Sequence, residues 1–280
     1  MSIERSPISS AVEITKNTPP GDEFSERFLA ASREFPMNEL FTDGGKWRPW
    51  YIRRMQRIEN VCITHGICAH DIAHHLRVAR NALVLNTSMG SGITDSTLFA
   101  LILAHDMGYS FSGLDWLGME AVNHAEREKD VLMRWARMYS PHTYVSGLEQ
   151  YISALPGSRH EVLSRFKNAA DEPSGSGIYM IPAVIKLADC LDYFHHDRVK
   201  HLPDPHADNT YHSLARDVED YAVTYDQSAR SIRFGVQMQD GGEYTLWKKL
   251  AAESYPEVWE LGQRFSASLG LTFQVGQRTK

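Results

Sequence analysis

Cysteine is scarce in this chain, with three in 280 residues, at Cys62, Cys68 and Cys190. Three thiols at these spacings build neither a disulfide framework nor a thiolate zinc site. A reduced, cytoplasmic protein is therefore expected, with its cysteines as small core residues. Long apolar runs are missing too. The longest, LFALILA at 98–104, falls far short of the about 20 residues that cross a bilayer. The first residues, MSIERSPISS, are polar and lack the apolar stretch of a secretory signal. Positive charge is also short. Lys and Arg number 29 against 35 Asp and Glu, a net charge of −6 that argues against nucleic acid as a partner. No nucleic-acid partner and no membrane partner are expected. No internal repeat or low-complexity tract is present.

What the chain does have is a core and a concentration of histidine. Hydrophobic residues make up 42% of it, enough to bury a substantial interior. All 13 histidines lie between His65 and His212, and the last 68 residues hold none. Histidine is the commonest metal ligand and titrates near neutral pH, so the middle of the chain is where chemistry is sought.

The pattern of apolar residues predicts a mainly α fold. Residues 1–45 read as a polar arm followed by a short helix at 22–35. Apolar positions 47, 50, 51, 55, 58, 61 and 62 have helical spacing. AHDIAHHLRVARNAL (69–83) opens a helix over roughly 69–86, with His70, His74 and His75 near its start. TDSTLFALILAHDMGY (94–109) reads as a helix buried all round, capped by Thr94 or Asp95 and stopped by Gly108. Helices are also expected over 123–139 and 144–170, with a loop at 171–177. IPAVIKLADCLDYF (181–194) is a strongly apolar helix with Pro182 in its first turn. The character changes after LPDPHADN (202–209). SIRFGVQM (231–238) alternates like a strand, QDGG is a turn signal, and EYTLW is its expected hairpin partner. A helix from YPEVWELGQRFSASLG and a strand from LTFQV (271–275) complete the chain. The expected organisation is an arm (1–45), a helical body (46–201) and a small C-terminal α/β subdomain (202–280) of hairpin, helix and strand.

Four residues combine on apolar helices: His74, the adjacent pair His105 and Asp106, and Asp189. A carboxylate on such a face must be paired, protonated or bound to metal. No Lys or Arg is fixed by sequence beside both aspartates, and a divalent cation satisfies both at once. Two imidazoles with two carboxylates suit Mn, Fe, Co, Ni, Zn or Mg.

The order H…HD…D, carried by HHLRVARNAL (His74), LILAHDMGY (His105, Asp106) and IKLADCLDYF (Asp189), resembles the HD-domain superfamily of metal-dependent phosphohydrolases. The string AHDIAHHLRV is similar to an HDxxHxxRV opening found in one bacterial branch. The resemblance covers roughly residues 50–200. It implies an HD-domain helical bundle in which His74, His105, Asp106 and Asp189 bind one metal. It also implies cleavage of a small phosphate ester, a nucleotide foremost, through a metal-activated water. His70 and Asp71 would orient the ligands, and His75 would support or pack.

Phosphoryl chemistry needs cations. Between Lys46 and Arg80 seven Lys and Arg face Glu59 and Asp71. Arg53, Arg54 and Arg57 read as a solvated face, whereas Arg77, one turn from His74, and Lys186, three residues before Asp189, are the catalytic candidates. His124, 19 residues after His105, stands where a ligand to a second metal sits in dinuclear branches. With one metal favoured and two possible, His124 would serve as a general acid or phosphate ligand. His142 and His160 are the only further choices for a second metal. HHDR (195–198) reads as a solvated helix end, and His201, His206 and His212 as loop residues near the substrate mouth. Trp47, Trp50, Tyr51 and Tyr109 can stack on a base or pack in the core. Two alternatives remain: a di-iron oxygenase on the same fold, which needs about six protein ligands, and a non-catalytic nucleotide-binding module. A homodimer is possible.

Overall fold

The computed structural model of the protein describes residues 47–66, 68–90, 93, 98, 101–102, 105–106, 176–202 and 210–278. The arm, the expected helices at 22–35, 123–139 and 144–170, the caps Thr94, Asp95 and Gly108, Tyr109, and His124, His142, His160 and His206 lie outside the described residues.

Helix α1 spans Trp47–His65. Tyr51, Met55, Ile58 and Cys62 recur at helical spacing and are buried, while Arg53 and Arg57 face solvent as expected. Helix α2 spans Ile72–Ser88. Asp71 caps it, its carboxylate accepting the His74 backbone N–H at 2.9 Å. Helix α3 spans Ser176–Asp192 and is buried on every side from Ile181 to Leu191 apart from half-buried Lys186. It starts earlier than its sequence suggests, so Pro182 lies inside the helix and not in its first turn. An interior proline removes one backbone hydrogen bond, at roughly 3 kcal/mol. Burial of Ile181 before it and of Ala183 and Val184 after it offsets that loss. Helices α2 and α3 pack together, joined by the Asn81 amide donating to the Ala188 carbonyl at 3.1 Å. A 3-10 turn at His196–Val199 follows α3.

The remainder is helix α4 (Thr210–Arg216), strands β1 (Val218–Asp226) and β2 (Ser231–Met238), helices α5 (Tyr244–Ser254) and α6 (Pro256–Ser268), and strand β3 (Thr272–Gln277). The sheet order is β1-β2-β3, with β1 antiparallel and β3 parallel to β2. This corrects the expected hairpin: β2 turns back on β1, which precedes it, and not on EYTLW. Asp226 builds the turn by accepting from the Ser228 hydroxyl at 2.6 Å and the Ala229 N–H at 2.9 Å, and Arg230 closes it at φ 47°. EYTLW instead enters α5, because Trp247 and Ala251 fall one turn apart and bury together. The two helices α5 and α6 then supply the crossover that parallel pairing of β2 and β3 requires. Gly262 lets α6 approach β3: a Cβ there would sit 2.7 Å from the Phe273 ring.

The C-terminal elements share one hydrophobic core with α1, α2 and α3. Phe194, just past α3, stacks on Trp259 of α6 at 5.4 Å between ring centres and meets Trp247 of α5 edge-on at 5.5 Å. Among the described residues no helix is long and apolar enough to cross a membrane. Cys62 and Cys190 are buried free thiols and Cys68 is half-buried. Burial pushes the Cys62 thiol up to about 12, so it stays protonated.

Candidate metal centre

Three pieces of chain converge. The first is the start of α2 with His70 just ahead of it. The second is a turn that follows helical residues 101 and 102. The third is the last turns of α3. Together they bring His70, His74, His75, His105, Asp106 and Asp189 into three overlapping groups of three, all buried except half-buried His70. The four residues nominated from the sequence, His74, His105, Asp106 and Asp189, are all among them.

The centre is Oδ2 of Asp106. That single oxygen lies 2.8 Å from His70 Nδ1, 3.2 Å from His74 Nε2, 3.2 Å from His105 Nε2 and 3.4 Å from His75 Nε2. Asp189 turns Oδ1 toward the same place, 3.6 Å from His74 Nε2 and 4.0 Å from His105 Nε2. Its other oxygen accepts from the Lys186 ammonium at 3.0 Å.

The far nitrogens of His74 and His105 decide their tautomers. His74 Nδ1 lies 2.6 Å from Oδ2 of Asp192, and His105 Nδ1 lies 2.6 Å from the Ile102 carbonyl oxygen. Both partners only accept, so each Nδ1 carries the hydrogen and, in the neutral ring, each Nε2 presents a lone pair. Two lone pairs therefore point at two carboxylates. Among the described residues, His74 Nε2 and His75 Nε2 make no hydrogen bond although both are fully buried.

Asp192 was not singled out from the sequence, yet it is the hub behind His74. It accepts from His74 Nδ1, from Arg77 Nε at 2.6 Å and Nη2 at 3.2 Å, and from the Tyr221 hydroxyl at 2.7 Å. Burial alone would push its carboxyl up. Arg77 and the hydrogen bond from His74 outweigh that and hold it well below the usual carboxylate range. The signal was available: Asp192 is one turn after Asp189 on an apolar helix. Tyr221, from β1, is held in turn by the Asn81 amide at 2.9 Å.

Arg77 is turned away from the centre. Its guanidinium is spent on Asp192 and on Asp197, the latter at 3.1 Å. Lys186 stays at the edge, with its side chain about a quarter exposed (26%). Burial would lower its pKa, but Asp189 beside it raises it well above the ordinary value, so it remains an ammonium. His70 holds Asp106, as expected of a residue that orients a ligand. Burial pushes its imidazole down to about 4, against the pull of Asp106. Asp71 touches His74 through its backbone and not its ring. It caps α2 and pairs with Lys200. Tyr51 is fully buried and hydrogen-bonded to His75 Nδ1 at 3.0 Å, which removes it from the base-stacking candidates.

HHDR is not a solvated end. His195 and Arg198 are buried, Asp197 pairs with Arg77, and the Arg198 guanidinium donates to the Ala69 carbonyl while the Ala69 N–H donates back to the Arg198 carbonyl at 2.8 Å. The 3-10 turn thereby clamps the residues leading into α2. His201 is half-buried beside it.

Comparison with known proteins finds no matching family model, no matching curated protein and no matching solved structure.

Proposed function

We propose that His74, His105, Asp106 and Asp189 hold one divalent metal ion and that the chain is a metal-dependent phosphohydrolase of the HD-domain type, cleaving a small phosphate ester, with nucleotides the first class to test. The observation that carries the metal is the pair of locked tautomers. His74 Nε2 and His105 Nε2 each face Asp106 Oδ2 at 3.2 Å with their hydrogens fixed on the opposite side of the ring. Lone pair against carboxylate is repulsive, and a cation between them turns each repulsion into a bond. Protonating the rings instead would crowd several N–H groups around an oxygen that can accept about two.

The donors are imidazole nitrogen and carboxylate oxygen, a set suited to Mn, Fe, Co, Ni or Zn, and to Mg less well. When bound, such an ion supplies Lewis acidity, which acidifies water and neutralises phosphoryl charge. The chain's own residues do the rest. Asp192 fixes the His74 tautomer and ring plane, which is the usual job of a carboxylate behind a ligand histidine. His70 fixes Asp106. Lys186 gives one hydrogen bond to Asp189 and keeps further N–H donors for a phosphoryl oxygen at the edge of the cluster. Arg77 holds Asp192 and is a positioning residue in this reading. His124 remains the expected proton donor to the leaving group.

The hydrolase reading rests on the H…HD…D order together with an anion-ready site. The two inner carboxylates face one ammonium, so a dication brings the local balance to positive and favours an anionic substrate. The test is elemental analysis of protein purified without added metal or chelator, followed by phosphate release from a nucleotide panel with Asp106→Ala as control. About one Mn, Co, Ni, Zn or Mg per chain and release lost in the variant are expected. Two irons per chain would replace the hydrolase with the oxygenase. No metal, and none taken up on titration, would leave the binding module.

A further inference from the structure

We infer that His75 is a further protein ligand to the metal, so that the ion is held by three imidazoles and two carboxylates and not by the H…HD…D set alone. The inference rests on the metal reading above and adds one donor to it.

His75 follows His74 on the same first turn of α2, and its ring enters the cluster. It lies 4.8 Å from the His105 ring and 5.6 Å from the His74 ring, centre to centre. It is fully buried. Its Nδ1 is occupied by the Tyr51 hydroxyl at 3.0 Å. Its Nε2, with the Nε2 of His105 and an oxygen of Asp106, forms a group whose ligand atoms lie within 4.8 Å of one another. So the ring is anchored on the outside and aimed inward, as His74 and His105 are.

The question is whether the inward nitrogen carries a hydrogen. Asp106 Oδ2 decides it by capacity. A carboxylate oxygen has two lone-pair directions. One is taken by His70, whose Nδ1–H sits at 2.8 Å. The other faces the lone pairs of His74 and His105 and is the one a cation uses. An N–H on His75 Nε2 would be a third claimant, long at 3.4 Å and badly angled toward an oxygen already used. It would be a buried donor with no acceptor among the described residues, an expensive arrangement. The other tautomer avoids this. Nδ1–H donates to the Tyr51 oxygen, and Nε2 offers its lone pair on the side of Asp106 Oδ2, the oxygen that His74 and His105 also face. Tyr51 is then a positioning residue, acting on the metal through His75. His70 differs in kind: its inward nitrogen already carries the hydrogen, so it supports the site and does not ligate.

The experiment is long-range proton–nitrogen NMR on the full chain, labelled with nitrogen-15 at histidine, before and after zinc(II). His75→Gln assigns the His75 signals by their disappearance. Expected is that Nε2 of His74, His75 and His105 all move to the metal-bound range, with Nδ1 of His75 protonated. Zinc that moves His74 and His105 but leaves an N–H on His75 Nε2 overturns this inference and spares the metal site. Failure of zinc to bind, with no change at His74 or His105, overturns the metal reading and this inference with it. As a second arm, His75→Gln is titrated with cobalt(II). Expected are a loss of affinity of roughly 10-fold or more and a shifted visible band. Wild-type affinity with an unshifted band overturns the inference.

Discussion

His74 has two ends, and the chain treats them in opposite ways. Behind the ring, Asp192 accepts four hydrogen bonds, from His74, twice from Arg77 and from Tyr221, so its charge is matched and its lone pairs are used. In front of the ring, Asp106 and Asp189 meet imidazole nitrogens that bring lone pairs where hydrogens are wanted. Aspartate meets imidazole on both sides. The difference is whether the partner is already in the chain. A satisfied buried network is structural, and the frustrated one is what supports the metal reading proposed above.

The largest expected effect breaks the rear. Asp192→Asn leaves Arg77 and the Nδ1–H of His74 facing a neutral amide. Removing one partner of a buried pair costs about 3–5 kcal/mol, read as a fall in the denaturant midpoint. A loss below about 1 kcal/mol, the size of an exposed pair, would mean that Asp192 is not the hub. At the front the cost differs. Asp106→Asn without metal should cost less than Asp192→Asn, because the amide oxygen can still accept from His70 and no guanidinium is left unpaired. With zinc or manganese at about 100 times Kd the wild type gains about 2.7 kcal/mol, and the variant gains nothing. Equal gains in both would show that the ion binds elsewhere.

Acid sharpens the same contrast. The Asp192 carboxyl is depressed in the folded chain, so the unfolded chain takes up its proton first. Its contribution is therefore complete above the ordinary value of 3.8 and is lost progressively as pH falls below it toward the folded value. Unfolding curves from pH 6 down to pH 2 should show the upper part of this acid limb, and Asp192→Asn should flatten it. A smaller effect comes from Tyr221→Phe, which removes one hydrogen bond to a buried carboxylate, about 1.5–3 kcal/mol. It should also weaken metal binding without touching the centre. The smallest effect is the floor: Arg264→Ala breaks an exposed pair with Glu260 on α6 and should cost under about 0.5 kcal/mol.

Much of the centre was legible before the fold was known, because a carboxylate on an apolar helix face has few ways to survive. That argument finds Asp106 and Asp189, and the H…HD…D order adds His74; only the packing of α2 against α3 shows that they meet. The same argument applies to Asp192, but the eye stops at the first aspartate of LADCLD. Tyr221 was not legible. Nothing in VEDYAVTYD says that its strand crosses to α2 and α3, since that contact is set by pairing with β2 and by the aromatic anchor at Phe194. The hairpin was misplaced because QDGG is a stronger local turn signal than DQSA, where the carboxylate of Asp226 does the work of a glycine. Pro182 misled for a related reason: proline is favoured at a helix start, but burial overrode that preference.

Tyr221 also sets an order of events. His74 and Asp192 are separated by 118 residues and Tyr221 comes a further 29 on. A nascent chain that has exposed α2 and α3 can pair them, but the phenol that steadies Asp192 is still unmade. The centre matures only when β1 has been synthesised and has closed against α2. A fragment ending near residue 201 carries every nominated ligand and still lacks the phenol behind Asp192. Proteolysis in the C-terminal part would thus weaken the proposed centre at a distance, without removing one of its donors.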